Sequence, residues 1–152
     1  MSDWQISAPR SDEYQAWKRL FDGYLTFYRK TPSEERAQTV WGWLQDPAHE
    51  VSGLLARSAD GTPVALAHYR PFARPIAGEY GGWVDDLFAD PAVRGEGVMD
   101  ALASELQKIA AASNWGILRW ITADDNYRAR SKYDRIAART MWITYDAQVK
   151  TD

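Results

Sequence analysis

One short run of the chain, Arg94-Gly95-Glu96-Gly97-Val98-Met99-Asp100, has the make-up of an anion cradle. A strand-like stretch, Trp83 to Ala89, leads into it through the turn residues Asp90 and Pro91. Behind it Val98, Leu102, Leu106 and Ala110 recur every fourth residue, which makes one apolar face of a helix. The first turn of a helix has N–H groups without an intrahelical partner, and that end carries partial positive charge. Glycines ahead of it let a phosphate come close to the backbone. The chemistry suggested is capture of the pyrophosphate of a nucleotide-like cofactor; the plainer alternative is a tight connection. Glu96 opposes phosphate only if its carboxylate, rather than its N–H, faces the turn. No Gly-Lys-Ser/Thr follows, so this is not an NTPase P-loop. The third glycine of the dinucleotide fingerprint is absent and no βαβ unit opens the chain, which argues against a Rossmann site.

Other chemistries are narrowed by composition. The chain has no cysteine, which removes thiolate metal sites, disulfides and a cysteine nucleophile. Its two histidines, His49 and His68, lie far apart in sequence, which gives a zinc site or a Ser-His-Asp triad little support and leaves no metal expected. A net charge of −3 gives no reason to expect nucleic acid as a partner. No apolar run reaches the length of a membrane span, and the first residues lack the basic and apolar parts of a signal peptide, so a cytoplasmic protein is expected. At 152 residues the expectation is one domain, 1–152, with a full core. Eight tryptophans and eight tyrosines point to an aromatic core, an aromatic-lined pocket, or both.

The elements that must position the turn can be read in order. Trp4 to Ala8 alternates as a strand. Ser11 or Asp12 can cap a helix over Glu13 to Arg29, whose stripe of Trp17, Leu20, Phe21, Tyr24, Leu25 and Tyr28 has helical spacing. Thr31-Pro32-Ser33-Glu34-Glu35 begins a second helix that stops near Asp46-Pro47. Most of these aromatics read as core, with Tyr24, Tyr28 and Trp41 open to lining a substrate site. Val51 to Arg57 and Pro63 to Phe72 are strands joined by a turn at Asp60-Gly61. Glu79 to Ala89 is a third, leading into the glycine turn and its helix. Ile117 to Thr122 reads as a strand, Asp124-Asp125-Asn126 as the cap of a helix running to about Ala138, and Thr140 to Ala147 as a last strand. This order predicts an α/β fold of α+β character, with about four helices on a mixed, mostly antiparallel sheet and a parallel pair near the glycine turn.

From Ala56 to Ala147 the chain resembles the GNAT superfamily of acyl-CoA-dependent N-acyltransferases. VDDLFADPAVRGEGVMDAL is similar to the family's acyl-CoA signature, and ITADDNYRARSKYDRIA to its second signature, an Asn followed seven residues later by a Tyr, here Asn126 and Tyr133. The acidic pair before Leu87-Phe88 is similar to that of the spermidine/spermine (diamine) acetyltransferase branch. Two departures are Met99 at the last Gly/Ala position and Lys132 in place of an apolar residue.

The resemblance implies a sheet whose parallel strands splay, with acetyl-CoA held there. N–H groups from Gly95 to Asp100, through Glu96, Gly97, Val98 and Met99 and following Arg94, would face its pyrophosphate. The backbone of Leu87, Phe88 and Ala89 would pair with the pantetheine arm like an added strand, and an N–H of Leu87 or Phe88 would polarise the acetyl carbonyl. Asn126 would bond the arm, although capping α-helix N–H groups would explain it equally. Transfer would go directly to a small amine in a ternary complex. The amine, of pKa about 10 when free, must lose a proton to attack, and a carboxylate can accept it. Asp85 is the first choice, with Asp86 and Glu79 after it. Neighbouring strand residues face opposite ways, so Asp85 and Asp86 share the cleft only if a bulge intervenes. Tyr133 would return a proton to the CoA thiolate. Asp86, Tyr24 and Tyr28 would contact the acceptor, and the acids and aromatics suggest a cationic one. His68 could face the cleft as a base, but lone strand histidines are usually satisfied structurally, and it reads as one of these. The alternative is an acyl-CoA-binding sensor without turnover, and a homodimer is a further implication.

Overall fold

One sheet runs β1-β2-β3-β4-β5 in spatial order. Its strands are β1 (Gln5–Ser7), β2 (Ser52–Arg57), β3 (Pro63–Arg74), β4 (Glu79–Ala89) and β5 (Leu118–Arg119). All neighbours pair antiparallel except β4 and β5, which are parallel. The structure is a computed structural model describing residues 3–151. Four α-helices are found among the described residues: α1 (Tyr14–Phe27), α2 (Glu34–Gln45), α3 (Val98–Ala112) and α4 (Tyr127–Ile136). Met1–Trp120 makes one compact unit and Ile121–Asp152 a second, which holds α4.

Strand alternation divides the core of the first unit. Leu54, Ala56, Ala65, Ala67 and Val84 pack with the stripe Val98, Leu102 and Leu106 of α3. The intervening residues Leu55, Leu66 and Phe88 pack with Trp17, Leu20, Phe21 and Leu25 of α1 and Ala37 of α2. Helices therefore cover both faces, each fixed by a period of two meeting a period near 3.6. α2 begins as its sequence indicates, with Ser33 Oγ accepting from the Arg36 N–H at 3.2 Å and Glu34 and Glu35 in the first turn.

α1 begins differently from the expectation. Neither Ser11 nor Asp12 is its cap; Glu13 occupies that position and makes no side-chain capping bond. Its carboxylate is bound instead by the buried Arg57 of β2, at 2.8 Å from Nε and 2.6 Å from Nη2. This bidentate pair holds the Glu13 carboxyl below the usual carboxylate range, chiefly through the Arg57 hydrogen bonds. Losing one member of such a pair strands a buried charge and costs about 3–5 kcal/mol. It therefore fixes the start of α1 relative to the sheet.

Two expected strands are corrected. The one over 117–122 is only Leu118–Arg119, paired with Gly82 and Trp83. Residues 140–147 form no strand, and Met141, Trp142, Ile143 and Tyr145 are 93%, 76%, 74% and 85% exposed. β-propensity measures fit to a pleated, half-buried surface, so β-formers without a partner edge stay irregular.

Candidate active site

The acidic pair sits on β4 at an irregularity in its pairing with β3. Val84 faces Tyr69 and Asp86 faces His68, which leaves Asp85 as an extra residue between the two pairs. A bulge of this kind turns two consecutive side chains toward one face. Both acids meet alternate residues of β3, which share a face. Asp85 receives Arg70 Nε at 3.3 and 3.2 Å, and Asp86 Oδ2 lies 2.8 Å from His68 Nδ1. This face is the one covered by α1: Trp17 Nε1 donates to His68 Nε2 at 3.0 Å, and the Tyr24 hydroxyl is near enough to Asp86 for each to shift the other's titration. The separation of the two carboxylates onto opposite faces, expected for a regular strand, is thereby overcome.

Their surroundings push the two acids apart. Burial raises the Asp85 carboxyl, and the charge of Asp86 adds to this, against the opposing pull of Arg70. Burial also acts upward on Asp86, but the hydrogen bond from His68, helped by Tyr24, outweighs it and leaves the carboxyl below its ordinary value. The Tyr24 phenol is raised, first by burial and then by Asp86. Two neighbouring carboxyls with opposite shifts are suited to different tasks, one to taking a proton and one to staying charged.

α1 lies close over this end of β4. A Cβ built at Gly23 would come within 3.0 Å of the Phe88 ring, so glycine permits the approach. Tyr24 meets Phe88 at 6.2 Å and Tyr28 at 5.1 Å between ring centroids. Tyr28 and Phe27 are left partly open at the helix end. The side chains of Leu87 and Ala89 belong to the α3 face and that of Phe88 to the α1 face, so these three residues have only backbone to offer a ligand. β5 pairs with Gly82 and Trp83 alone, and Val84 to Ala89 continue beyond that pairing. The parallel pairing therefore ends before the acidic pair, and the backbone from Val84 to Ala89 is not paired with β5.

The glycine turn follows Asp90, which caps a single 3₁₀ turn at Pro91–Val93 by accepting from the Ala92 N–H at 2.9 Å. Gly95 and Gly97 have φ of +86° and +85°, a region that favours glycine. A Cβ at either would meet nothing within 4 Å, so the space in front of the turn is open. Gly97 is the N-cap of α3, and no side chain caps that helix. The Glu96 N–H is already bonded to Val93 O at 3.2 Å. Val98 is buried and Met99 packs against the α3 core cluster, so the Met99 side chain is directed into the core. Arg94 stacks on Phe27, its guanidinium carbon 6.0 Å from the ring centroid.

In the second unit, Asn126 sits at the N-cap of α4 but makes no capping bond; its Nδ2 donates to Thr122 Oγ1 at 3.4 Å. Capping is thus not what Asn126 does. Tyr133 lies on α4, half-buried. Arg130 of α4 bonds Asp124 and stacks on Tyr127.

Residues 16–137 match the acetyltransferase (GNAT) family. The chain belongs to that family. It is an acyl-CoA-dependent N-acetyltransferase. The D-amino-acid N-acetyltransferase HPA3 of Saccharomyces cerevisiae is 25% identical over 141 residues, covering 92% of this chain and 88% of that protein. The ribosomal-protein-alanine N-acetyltransferase of Brucella melitensis biovar Abortus 2308 is 22% identical, with a TM-score of 0.76 over 97% of this chain and all of its own. The aminoglycoside enzyme AAC(6')-Iy, solved with a bisubstrate analogue, has 13% identity and a TM-score of 0.83 over 99% of this chain and 100% of that one. These structural likenesses establish the fold. None of these three relatives singles out the diamine-acetyltransferase branch.

For this GNAT protein the structure thus gathers Tyr24, Asp85 and Asp86. Sequence reasoning passed over Arg70, treated His68 as structural only and read Trp17 as core only. The available signal was that His68 and Arg70 are two apart on a strand and so share a face. Which acid each would meet depends on the bulge, and no residue type announces it.

Proposed function

We propose that this protein transfers the acetyl group of acetyl-CoA to the primary amine of a small cationic acceptor, directly, in a ternary complex. The observation that carries this reading is the pair Asp85 and Asp86, turned to one face with their carboxyls shifted in opposite directions. Asp85 takes the ammonium proton, helped by burial that makes it a better base than an ordinary aspartate. Asp86 stays ionised and, with Tyr24 and Tyr28, holds the cationic acceptor. The backbone of Leu87, Phe88 and Ala89 pairs with the pantetheine arm, and an N–H of Leu87 or Phe88 steadies the charge that develops on the acetyl oxygen. The amides of Gly95, Gly97, Val98, Met99 and Asp100 receive the pyrophosphate, with Arg94 and Glu96 flanking them; the open space and missing cap at Gly97 support this. Asn126, freed from capping, binds the arm, and Tyr133 protonates the leaving thiolate, on the strength of their spacing. The family match crosses both compact units, which supports one catalytic domain over 1–152. The exposed aromatic run near Trp142 supports a homodimer, which the mass measured by sedimentation in solution tests.

Mass spectrometry of an amine panel incubated with acetyl-CoA tests the acceptor class. Diamines and other cationic amines are expected to be acetylated first. The yeast relative's name supplies the competitor: preference for D-amino acids, or for neutral amines only, would overturn the acceptor assignment.

A further inference from the structure

An indole N–H donates and never accepts. Trp17 Nε1 lies 3.0 Å from His68 Nε2, so that ring nitrogen presents its lone pair. The proton of the neutral imidazole is therefore on Nδ1, 2.8 Å from Asp86 Oδ2. The ring is 2% exposed and lies between Trp17, at 5.9 Å, and Phe21, at 5.7 Å between centroids. Water is thus kept from both nitrogens. The charged and titratable groups around this chain are Asp85 and Asp86 from β4, Arg70 from β3 and Tyr24 from α1. The bonds from Trp17 to Asp86 by way of His68 thus link the buried centre of α1 to the half-buried acid Asp86 of β4.

We infer that Trp17 is a positioning residue for the acceptor site: by donating to Nε2 it locks His68 as the Nδ1–H tautomer, which keeps the Asp86 carboxylate charged and aimed outward at the acceptor's ammonium. This rests on the reading of Asp86 as the acceptor's anchor, whereas the tautomer itself does not. His68 is then no general base, because its only lone pair is committed to Trp17. The arrangement has the logic of a carboxylate–histidine pair in which the second ring nitrogen sets which tautomer is present.

The test combines ring ¹⁵N NMR with steady-state kinetics on the full chain. Wild-type protein should show a protonated Nδ1 and a bare Nε2 at His68, and Trp17→Phe should lose that single-tautomer signature. KM for a cationic amine should rise about tenfold in Trp17→Phe, the scale of weakening one hydrogen bond to a charged group, with kcat and CoA affinity little changed. Because Trp17→Phe also removes volume from the buried core, His68→Asn and His68→Leu provide the second arm. Asparagine can still donate to Asp86 and should recover most of the acceptor affinity that leucine loses. A protonated Nε2 in the wild type, or equal KM in the asparagine and leucine variants, would overturn the inference. If no amine is turned over, the acceptor reading falls, and the NMR spectrum still decides the lock by itself.

Discussion

The two ends of β4's exit are built in opposite ways. At the acidic end, side chains specify everything: Arg70 holds Asp85, while His68 and Tyr24 hold Asp86 and Trp17 holds His68. At the glycine end, side chains are withdrawn. Gly95 and Gly97 present open backbone, Val98 and Met99 turn into the core, and no cap covers α3. The difference matches the ligands proposed for the two ends. A pyrophosphate is gripped by many equivalent amides that need only be uncovered. A proton acceptor and a cation anchor must differ from each other, and only distinct neighbours can make two adjacent aspartates differ.

The comparison can be broken at the glycine end with the largest effect. Gly97→Asp puts a residue with φ near +85° where only glycine is unstrained, at about 1–2 kcal/mol, and adds a carboxylate where phosphate charge is expected. Calorimetry should then show CoA affinity lost altogether, with the fold intact by circular dichroism. At the acidic end, Asp86→Asn removes an ionised partner from His68 and Tyr24. It should raise KM for cationic amines and cost about 2 kcal/mol of stability, read from urea unfolding. The sign with pH follows from the lowered carboxyl. The stabilisation it gives is present above the ordinary value of 3.8 and lost as pH falls through the folded value. The variant's deficit should therefore shrink toward acid. The low end of the general acid–base range is expected in the second unit, where Tyr133→Phe should lower kcat about 10²-fold while sparing CoA affinity, as removal of a general acid does. Full activity there would remove Tyr133 from the mechanism.

Legibility in the sequence follows the same division. The glycine turn, the α3 stripe and the β2–β3 turn are local patterns, and each was readable from spacing alone. The Asp86–His68–Trp17 chain joins residues 18 and 51 positions apart, and the bulge that makes Asp85 and Asp86 neighbours on one face has no composition of its own. The buried Glu13–Arg57 pair was equally invisible, since a helix-start glutamate and a strand arginine look ordinary until the sheet joins them. The last strand failed for the converse reason. TMWITYDA carries strong β-formers, but a strand is a pairing, and sequence propensity contains no partner.

The most direct test is the rate of amine acetylation by Asp85→Asn against pH, with CoA affinity measured on the same sample. Burial raises the Asp85 carboxyl, so the ionised form is disfavoured by the fold; its contribution to stability is present in acid and lost as pH rises through the folded value. The account predicts a variant at least as stable as the wild type near neutrality, with unchanged CoA affinity and kcat/KM lowered by about 10²–10⁴-fold. Wild-type kcat/KM across the pH range, in a variant that still binds CoA, would contradict it.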